Sequence, residues 1–321
     1  MDANAKILEL IDSGRPHAVG LLLSADGSTP REAGVKAVIE ADGRIWGTLG
    51  GGSVEAEAQR RAVDACVAGV PQVFEVALTG ADAASTESIC GGHVRILVDP
   101  TAAKDRAAYA EAVAAIEERR TGWLATTVEG ADPTTTRVTW HSGPVAPHAS
   151  GDAFIEPVTP APRLVIVGGG HVGQALAKQA ALLRFDIIVI DDRPEFADPG
   201  LFPDGVRTCC GDVAREMAGL GIARDTYVVI IARGHHLDAD ALEACIGSDA
   251  AYIGMMGSRR KIALMRRSFI ENGLATEPEF DRVYAPIGLD IGAETVAEIA
   301  TSIAAQLVSV RRTQASDRMP T

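Results

Sequence analysis

Three glycines, Gly168, Gly170 and Gly173, stand at the GxGxxG spacing directly after the apolar run at residues 164–167. The first glycine allows a tight turn, the second lets a phosphate approach the backbone, and the third lets a helix pack on the strand. A helix beginning near His171 would direct its unpaired N–H groups and its positive dipole end at that phosphate. The pattern therefore predicts a phosphate-binding turn between a strand and a helix.

Two carboxylates, Asp191 and Asp192, end the next apolar run. They follow the glycines at about the separation at which an acidic side chain accepts hydrogen bonds from a ribose hydroxyl. Arg193 comes directly after them and would instead accommodate a 2′-phosphate. Strand, helix, strand and terminal carboxylate together indicate a nucleotide-binding βαβ unit. The alternative is a doubly wound core whose turn is tight only for packing.

A second glycine-rich helix start lies in the N-terminal half of the chain. Gly50, Gly51, Gly52 and Ser53 precede an alanine-rich stretch at residues 54–68 that predicts a helix. We expect Ser53 to be the N-cap of this helix, which makes its start a second candidate anion site. The alternative is a capped helix with a flexible entry.

Cys90 lies in a loop with two glycines, directly before a predicted strand at residues 94–98. If neighbouring N–H groups or an arginine lower its pKa, the thiol becomes a thiolate, which is a soft ligand for a transition metal. The alternative is a half-buried apolar thiol.

Two further polar segments follow predicted strands in the C-terminal half. Gly257, Ser258 and Arg259 begin a helix predicted over residues 259–271 and have the chemistry of another phosphate contact, although a capped helix with a solvated basic face would look the same. The segment 233–238 contains two adjacent histidines, and this spacing is not that of a helical metal-binding pair.

The alternation of elements predicts a chain of the α/β class with two domains. We expect an N-terminal α+β domain at residues 1–148, a proline-rich linker at 149–162, and a C-terminal Rossmann-like doubly wound parallel sheet at 163–321. The linker prediction rests on the prolines of this stretch, which break the periodicity of the sequence.

The amino-acid composition limits the cellular compartment and the binding partners that we expect for this protein. A formal charge of −13 opposes binding to nucleic acid or to an anionic membrane. No signal peptide or membrane-spanning stretch is visible, and the five cysteines lack CxxC spacing, so we expect a cytoplasmic protein with reduced thiols.

With these segments identified, the sequence resembles the XdhC/CoxI family, the accessory proteins for maturation of xanthine dehydrogenase and related molybdenum hydroxylases. The resemblance covers nearly the whole chain. The segments that carry it are GSTPREAG at 27–34, GTLGGGSVEAEA at 47–58, CGG at 90–92, LVIVGGGHVGQALA at 164–177, RGHHLDADAL at 233–242, AYIGMMGSRRK at 251–261 and APIGLDIGAETVAEIATSIAAQL at 285–307.

This resemblance implies a chaperone that binds the molybdenum cofactor, as molybdopterin or its dinucleotide. The chaperone would protect the cofactor while its terminal sulfur is installed and would deliver it to an apo-hydroxylase such as xanthine dehydrogenase. The resemblance further implies a cysteine desulfurase as partner. We also expect a homo-oligomer, no defined turnover reaction and a cofactor contact at Arg31. Our hypothesis is that the cofactor binds with its phosphate at Gly50–Ser53 and its molybdenum near Cys90. Ser53 departs from the CoxI-like branch, which has cysteine there, so a second thiol ligand is absent.

Two other functions fit the same residues. The first is an NAD(P)-dependent oxidoreductase. In it, a residue such as His235 relays a proton, and the cofactor is bound by Gly168, Gly170, Gly173 and Asp191. The second is a non-catalytic nucleotide sensor. The oxidoreductase explains the C-terminal domain but leaves Cys90 and the N-terminal glycine run without a role.

Overall fold

The structure is a computed structural model that describes residues 2–27, 34–77, 92–130, 134–143 and 153–317. The chain divides into two compact units, Met1–Pro160 and Ala161–Thr321. Each unit has its own sheets and its own apolar core. No helix in the described ranges is long and apolar enough to cross a membrane.

Unit 1 is an α+β fold built on a five-stranded sheet in the order β3-β2-β1-β5-β4, with a second sheet of three strands in the order β7-β6-β8. All neighbouring strands are antiparallel. The elements are α1 Ala3–Asp12, β1 His17–Gly27, β2 Lys36–Glu40, β3 Ile45–Gly47, α2 Gly52–Ala68, β4 Gln72–Ala77, β5 Gly92–Asp99, a 3₁₀ turn Ala102–Asp105, α3 Arg106–Glu117, β6 Gly122–Glu129, β7 Thr135–Ser142 and β8 Ala153–Val158.

The alternation of side chains gives the five-stranded sheet two buried faces. Leu22 and Ile96 face α2 and pack with the small residues of that helix. Val19 and Val38 face the opposite way and pack with α1, α3 and the three-stranded sheet. Helix α2 therefore lies on one face, and the second sheet closes the other.

One strand of unit 1 corrects a prediction. Residues 153–158, expected to belong to a linker, form β8 and pair with β6 over six residues. Pro157 is compatible with this strand because β8 is an edge strand, where the missing N–H of proline breaks no ladder. The prolines in and after this segment favoured a linker prediction, whereas the strand depends on a pairing partner about 30 residues earlier in the chain.

Unit 2 contains a six-stranded parallel sheet in the order β11-β10-β9-β12-β13-β14. This is the Rossmann-like doubly wound fold that the alternation predicted. The elements are β9 Arg163–Val167, α4 His171–Leu182, β10 Asp186–Asp191, 3₁₀ turns Pro194–Phe196 and Pro199–Leu201, β11 Arg207–Cys210, α5 Val213–Ala218, β12 Thr226–Ile230, α6 His235–Glu243, β13 Tyr252–Met255, α7 Arg259–Glu271, α8 Glu277–Asp281, β14 Val283–Tyr284 and α9 Val296–Asp317.

Strand β9 shows why both faces of this sheet are covered. Leu164 and Ile166 pack with α4 and α9, whereas Val165 and Val167 pack with α5, α6 and α7. All four side chains are fully buried. The strand order reverses between β9 and β12, and the crevice at the carboxyl ends of these strands is where doubly wound folds bind ligands.

Candidate functional site

The glycine turn after β9 has the geometry that the spacing predicted. Gly168 has a φ of 118°, and a Cβ on it would lie 2.8 Å from the carbonyl oxygen of Ile231. A Cβ on Gly173 would lie 2.0 Å from the carbonyl oxygen of Gly168. The fold therefore requires glycine at both positions.

Gly170 differs from the other two glycines. It is the N-cap of α4 at an ordinary φ of −68°, and a Cβ on it would meet no atom within 4 Å. The fold does not need glycine here, but the open space beside the helix N-terminus would admit a phosphate against the backbone. His171 begins the helix, so its N–H belongs to the same first turn.

Asp191 is hydrogen-bonded to the glycine turn. Its carboxylate accepts hydrogen bonds from the Gly169 N–H at 2.9 Å and from Nε and Nη2 of Arg193 at 2.9 and 3.0 Å. Burial raises the pKa of the Asp191 carboxyl, but the hydrogen bonds from Arg193 and Gly169 outweigh burial, so the pKa lies below its usual value. Asp191 and Arg193 thus bind each other.

Asp192 is the exposed carboxylate of the pair, with 42% of its side chain accessible. It lines a narrow cleft together with Gly168, Ala232 and Leu237, at the carboxyl ends of β9, β10 and β12. The sequence predicted ribose contacts for both aspartates. Asp192 is the more accessible of the two carboxylates, and its Oδ1 lies 3.7 Å from Nε of Arg193.

Helices α6 and α7, which follow β12 and β13, are joined by a buried ion pair that the sequence analysis did not predict. Asp238 of α6, whose side chain is 1% exposed, pairs with Lys261 of α7. Ser258 is the N-cap of α7, and its Oγ accepts a hydrogen bond from the Lys261 N–H at 3.3 Å. Because α7 follows β13 directly, its start, with Gly257 and the exposed Arg259, lies at the carboxyl edge of the sheet.

The N-terminal glycine run makes a tight entry to α2. Gly50, Gly51 and Gly52 have φ values of 122°, 80° and 59°, and a Cβ on Gly51 or Gly52 would meet no atom within 4 Å. The Glu55 carboxylate fixes the run by accepting hydrogen bonds from the Thr48 hydroxyl at 2.7 Å and the Leu49 N–H at 3.1 Å. An open backbone turn thus leads into a helix N-terminus.

Ser53 is not the N-cap that the sequence predicted. The helix begins two residues earlier than predicted, at Gly52, and its N-cap is Gly51 with no side-chain hydrogen bond. The reason is conformational, because three consecutive positive φ values turn the chain before Ser53 is reached. Ser53 lies instead within the first turn of α2.

Two of the three predicted site segments of unit 1 adjoin, in sequence, neighbouring strand ends of the five-stranded sheet. Strands β1, β3 and β4 run in one direction and β5 in the other. Gly27, at the end of β1, pairs with Gly92 at the start of β5. Arg31 follows the first of these strands and Cys90 precedes the second, although both residues lie outside the described ranges. The glycine run follows β3, whose last residue, Gly47, is level with Gly20 of β1, seven residues before Gly27.

The described cysteine of unit 1, Cys66, packs against the core under α2, and burial raises the pKa of its thiol. Among the described residues, no group of three or more His, Cys, Asp or Glu side chains could hold a metal ion.

The parallel sheet with a glycine turn at its reversal point defines a protein with a Rossmann-type domain and an N-terminal α+β domain. Residues 164–307 match the model of the XdhC Rossmann domain, and residues 10–77 match that of the XdhC and CoxI family. The chain therefore belongs to the XdhC/CoxI family.

The chain is similar in sequence to several named proteins. YqeB of Escherichia coli, described as uncharacterized, is 30% identical over 97% of this chain, and the chain spans 46% of YqeB. PaoD of Escherichia coli, named a molybdenum cofactor insertion chaperone, is 26% identical over 97% of this chain and 88% of its own length. A Bacillus subtilis protein named as a probable xanthine dehydrogenase subunit is 22% identical over 94% of this chain and 96% of its own length.

A solved structure has the same fold. The crystal structure of a xanthine dehydrogenase from Bacillus halodurans matches with a TM-score of 0.81 at 23% identity, over 97% of this chain and 96% of that one.

Proposed function

We propose that this protein binds the molybdenum cofactor, protects it while its terminal sulfur is installed, and delivers it to an apo-hydroxylase of the xanthine dehydrogenase type. The observation that carries this proposal is the similarity to PaoD, which extends over 97% of this chain. The relative named as a xanthine dehydrogenase subunit supports a role in the maturation of the same enzyme class. The cofactor is then a cargo, and no turnover reaction is needed.

Unit 1 offers a coherent place for this cargo. The glycine run at Gly50–Ser53 presents an open turn and a helix N-terminus, which suit the phosphate of molybdopterin. Cys90 would supply a thiolate to molybdenum, and Arg31 a cationic contact to the phosphate. The strand ends Gly27 and Gly92, to which the segments of Arg31 and Cys90 attach, are neighbours in the sheet.

Unit 2 would bind a nucleotide, either the nucleotide part of a dinucleotide form of the cofactor or an NAD(P)-type ligand. The open space at Gly170 and the N–H groups from His171 onward suit a pyrophosphate, and the exposed Asp192 suits a ribose hydroxyl. The start of α7 at Gly257, Ser258 and Arg259 would add a further phosphate contact.

The partners follow from the same proposal. They are a molybdenum hydroxylase that receives the cofactor and a cysteine desulfurase that supplies the sulfur. We also propose that the chain forms a homo-oligomer in the cytoplasm.

Cofactor content tests the proposal. The wild type, Cys90→Ser and the matched control Cys210→Ser, which alters an exposed thiol of unit 2, are purified without oxygen from a host that makes the cofactor. We expect near-stoichiometric molybdenum and pterin fluorescence in the wild type and the control, and loss of both in Cys90→Ser. Unchanged binding in Cys90→Ser would rule out the metal contact, and a wild type without pterin would contradict the chaperone function.

A further inference from the structure

A cleft of about 680 Å³ opens between the two sheets of unit 1. Val73 and Arg95 of the five-stranded sheet line one wall, and Val128 and Phe154 of the three-stranded sheet line the other. It lies on the face opposite α2, because Phe74 and Ile96, the chain neighbours of Val73 and Arg95, pack toward that helix. Its volume is within the range of small-molecule sites.

Two opposite charges share one wall of this cleft. Glu75 of β4 and Arg95 of β5 are direct cross-strand partners, and both line the cleft. Both residues are exposed. Within the part of the chain that the structure describes, neither side chain takes part in a hydrogen bond or ion pair. The Glu75 carboxylate is therefore available to accept hydrogen bonds from a ligand, and the Arg95 guanidinium is available to donate them.

These groups define the chemistry of a ligand. A carboxylate accepts two neighbouring N–H donors, and a guanidinium donates two parallel hydrogen bonds to a phosphate or carboxylate. Val73 on one wall and Val128 and Phe154 on the other offer apolar contacts to the two flat faces of a ring system. Adjacent N–H donors on a flat ring are the edge of a 2-amino-4-oxopyrimidine, which pterins and guanine share.

We propose that this cleft binds the ring system of a pterin that carries an anionic substituent, with Glu75 accepting from the amino-pyrimidine edge and Arg95 holding the anion. The choice of pterin over guanine rests on the proposed function. Because the cleft lies on the face of the sheet opposite α2, a cofactor whose ring binds here places its anion at Arg95, so this assignment is an alternative to the phosphate contact proposed for the glycine run.

Binding to a free pterin tests the cleft directly. The full-length protein is titrated with pterin-6-carboxylate and, separately, with GMP. We expect the pterin to bind, Glu75→Gln to weaken binding at least tenfold, and Glu117→Gln, a matched change on an exposed residue of α3, to leave it unchanged. Val73→Trp should abolish binding by filling the cleft, with circular dichroism checking that the variant is folded.

Two results would overturn the assignment. Pterin binding that survives both Glu75→Gln and Val73→Trp would show that the cleft is not the site. Tighter binding of GMP than of pterin, lost in Glu75→Gln, would identify a guanine site instead.

Co-purified molybdopterin separates this inference from the proposed function. A wild type that carries molybdopterin, retained in both cleft variants, keeps the chaperone function and overturns the cleft assignment. A wild type without molybdopterin that still binds pterin-6-carboxylate through Glu75 keeps the cleft assignment and overturns the chaperone function.

Discussion

Asp191 connects the glycine turn to the end of β10, and its charge matters for stability. Since its folded pKa is lowered, its contribution is complete above the unfolded carboxyl pKa of about 3.9 and is lost as the pH falls through the folded pKa. We expect Asp191→Asn to lower the free energy of unfolding at pH 7 by about 1–3 kcal/mol. Urea titrations at pH 7 and pH 3 should show this difference shrinking at the lower pH. An equal difference at both pH values would contradict this account of Asp191.

Gly170 and Gly173 separate ligand binding from folding. Gly173→Ala places a methyl group 2.0 Å from a backbone oxygen and should destabilise unit 2 by about 1–3 kcal/mol. Gly170→Ala meets no atom and should leave the urea midpoint unchanged, while it weakens binding of NAD⁺ or another dinucleotide in calorimetric titrations. Unchanged nucleotide affinity in Gly170→Ala would argue against a phosphate at this turn.

The start of helix α7 depends on its cap. Ser258 caps α7, although Arg259, Arg260 and Lys261 in the first turn oppose the positive end of the helix dipole. We expect Ser258→Ala to cost about 1 kcal/mol in the free energy of unfolding, and Ser258→Asp to restore it. Thermal unfolding of the two variants checks this, and an equal loss in both would exclude capping as the role of Ser258.

Elements with local patterns were predictable, and those that depend on distant partners were not. The Rossmann unit is recognisable from apolar strands, glycines and a terminal carboxylate within about 30 residues. Strands β4 and β8 are edge strands of their sheets. Each is stabilised by pairing with one other strand, β5 and β6 respectively, which the local sequence does not specify. Helix α8 is short and depends on a capping box between Thr276 and Glu279.

The candidate site follows the same division. Its glycines were predictable because a turn requires them locally. The contact between Asp191 and the Gly169 N–H and the pair of Asp238 with Lys261 join residues more than 20 positions apart. Only the tertiary fold brings these groups together. The sequence pattern therefore could not predict that Asp191 accepts a hydrogen bond from the glycine turn.

At the scale of the whole molecule, the division into two units makes nucleotide binding separable. All residues predicted to contact the nucleotide lie in Ala161–Thr321. We expect a fragment of residues 161–321 to bind NAD⁺ or another dinucleotide within about threefold of the full-length affinity, a difference below about 1 kcal/mol. Calorimetric titration of the two proteins measures this, and loss of binding in a folded fragment would contradict it.

Transfer of the cofactor tests the central claim most directly. The protein, loaded with molybdenum cofactor, is mixed under anaerobic conditions with an apo-hydroxylase of the xanthine dehydrogenase type, and hydroxylase activity and cofactor content are followed. The account predicts that the hydroxylase gains activity as cofactor leaves this chain, faster than with free cofactor at the same concentration. Equal or slower activation with the loaded protein would contradict the claim that this chain delivers the cofactor.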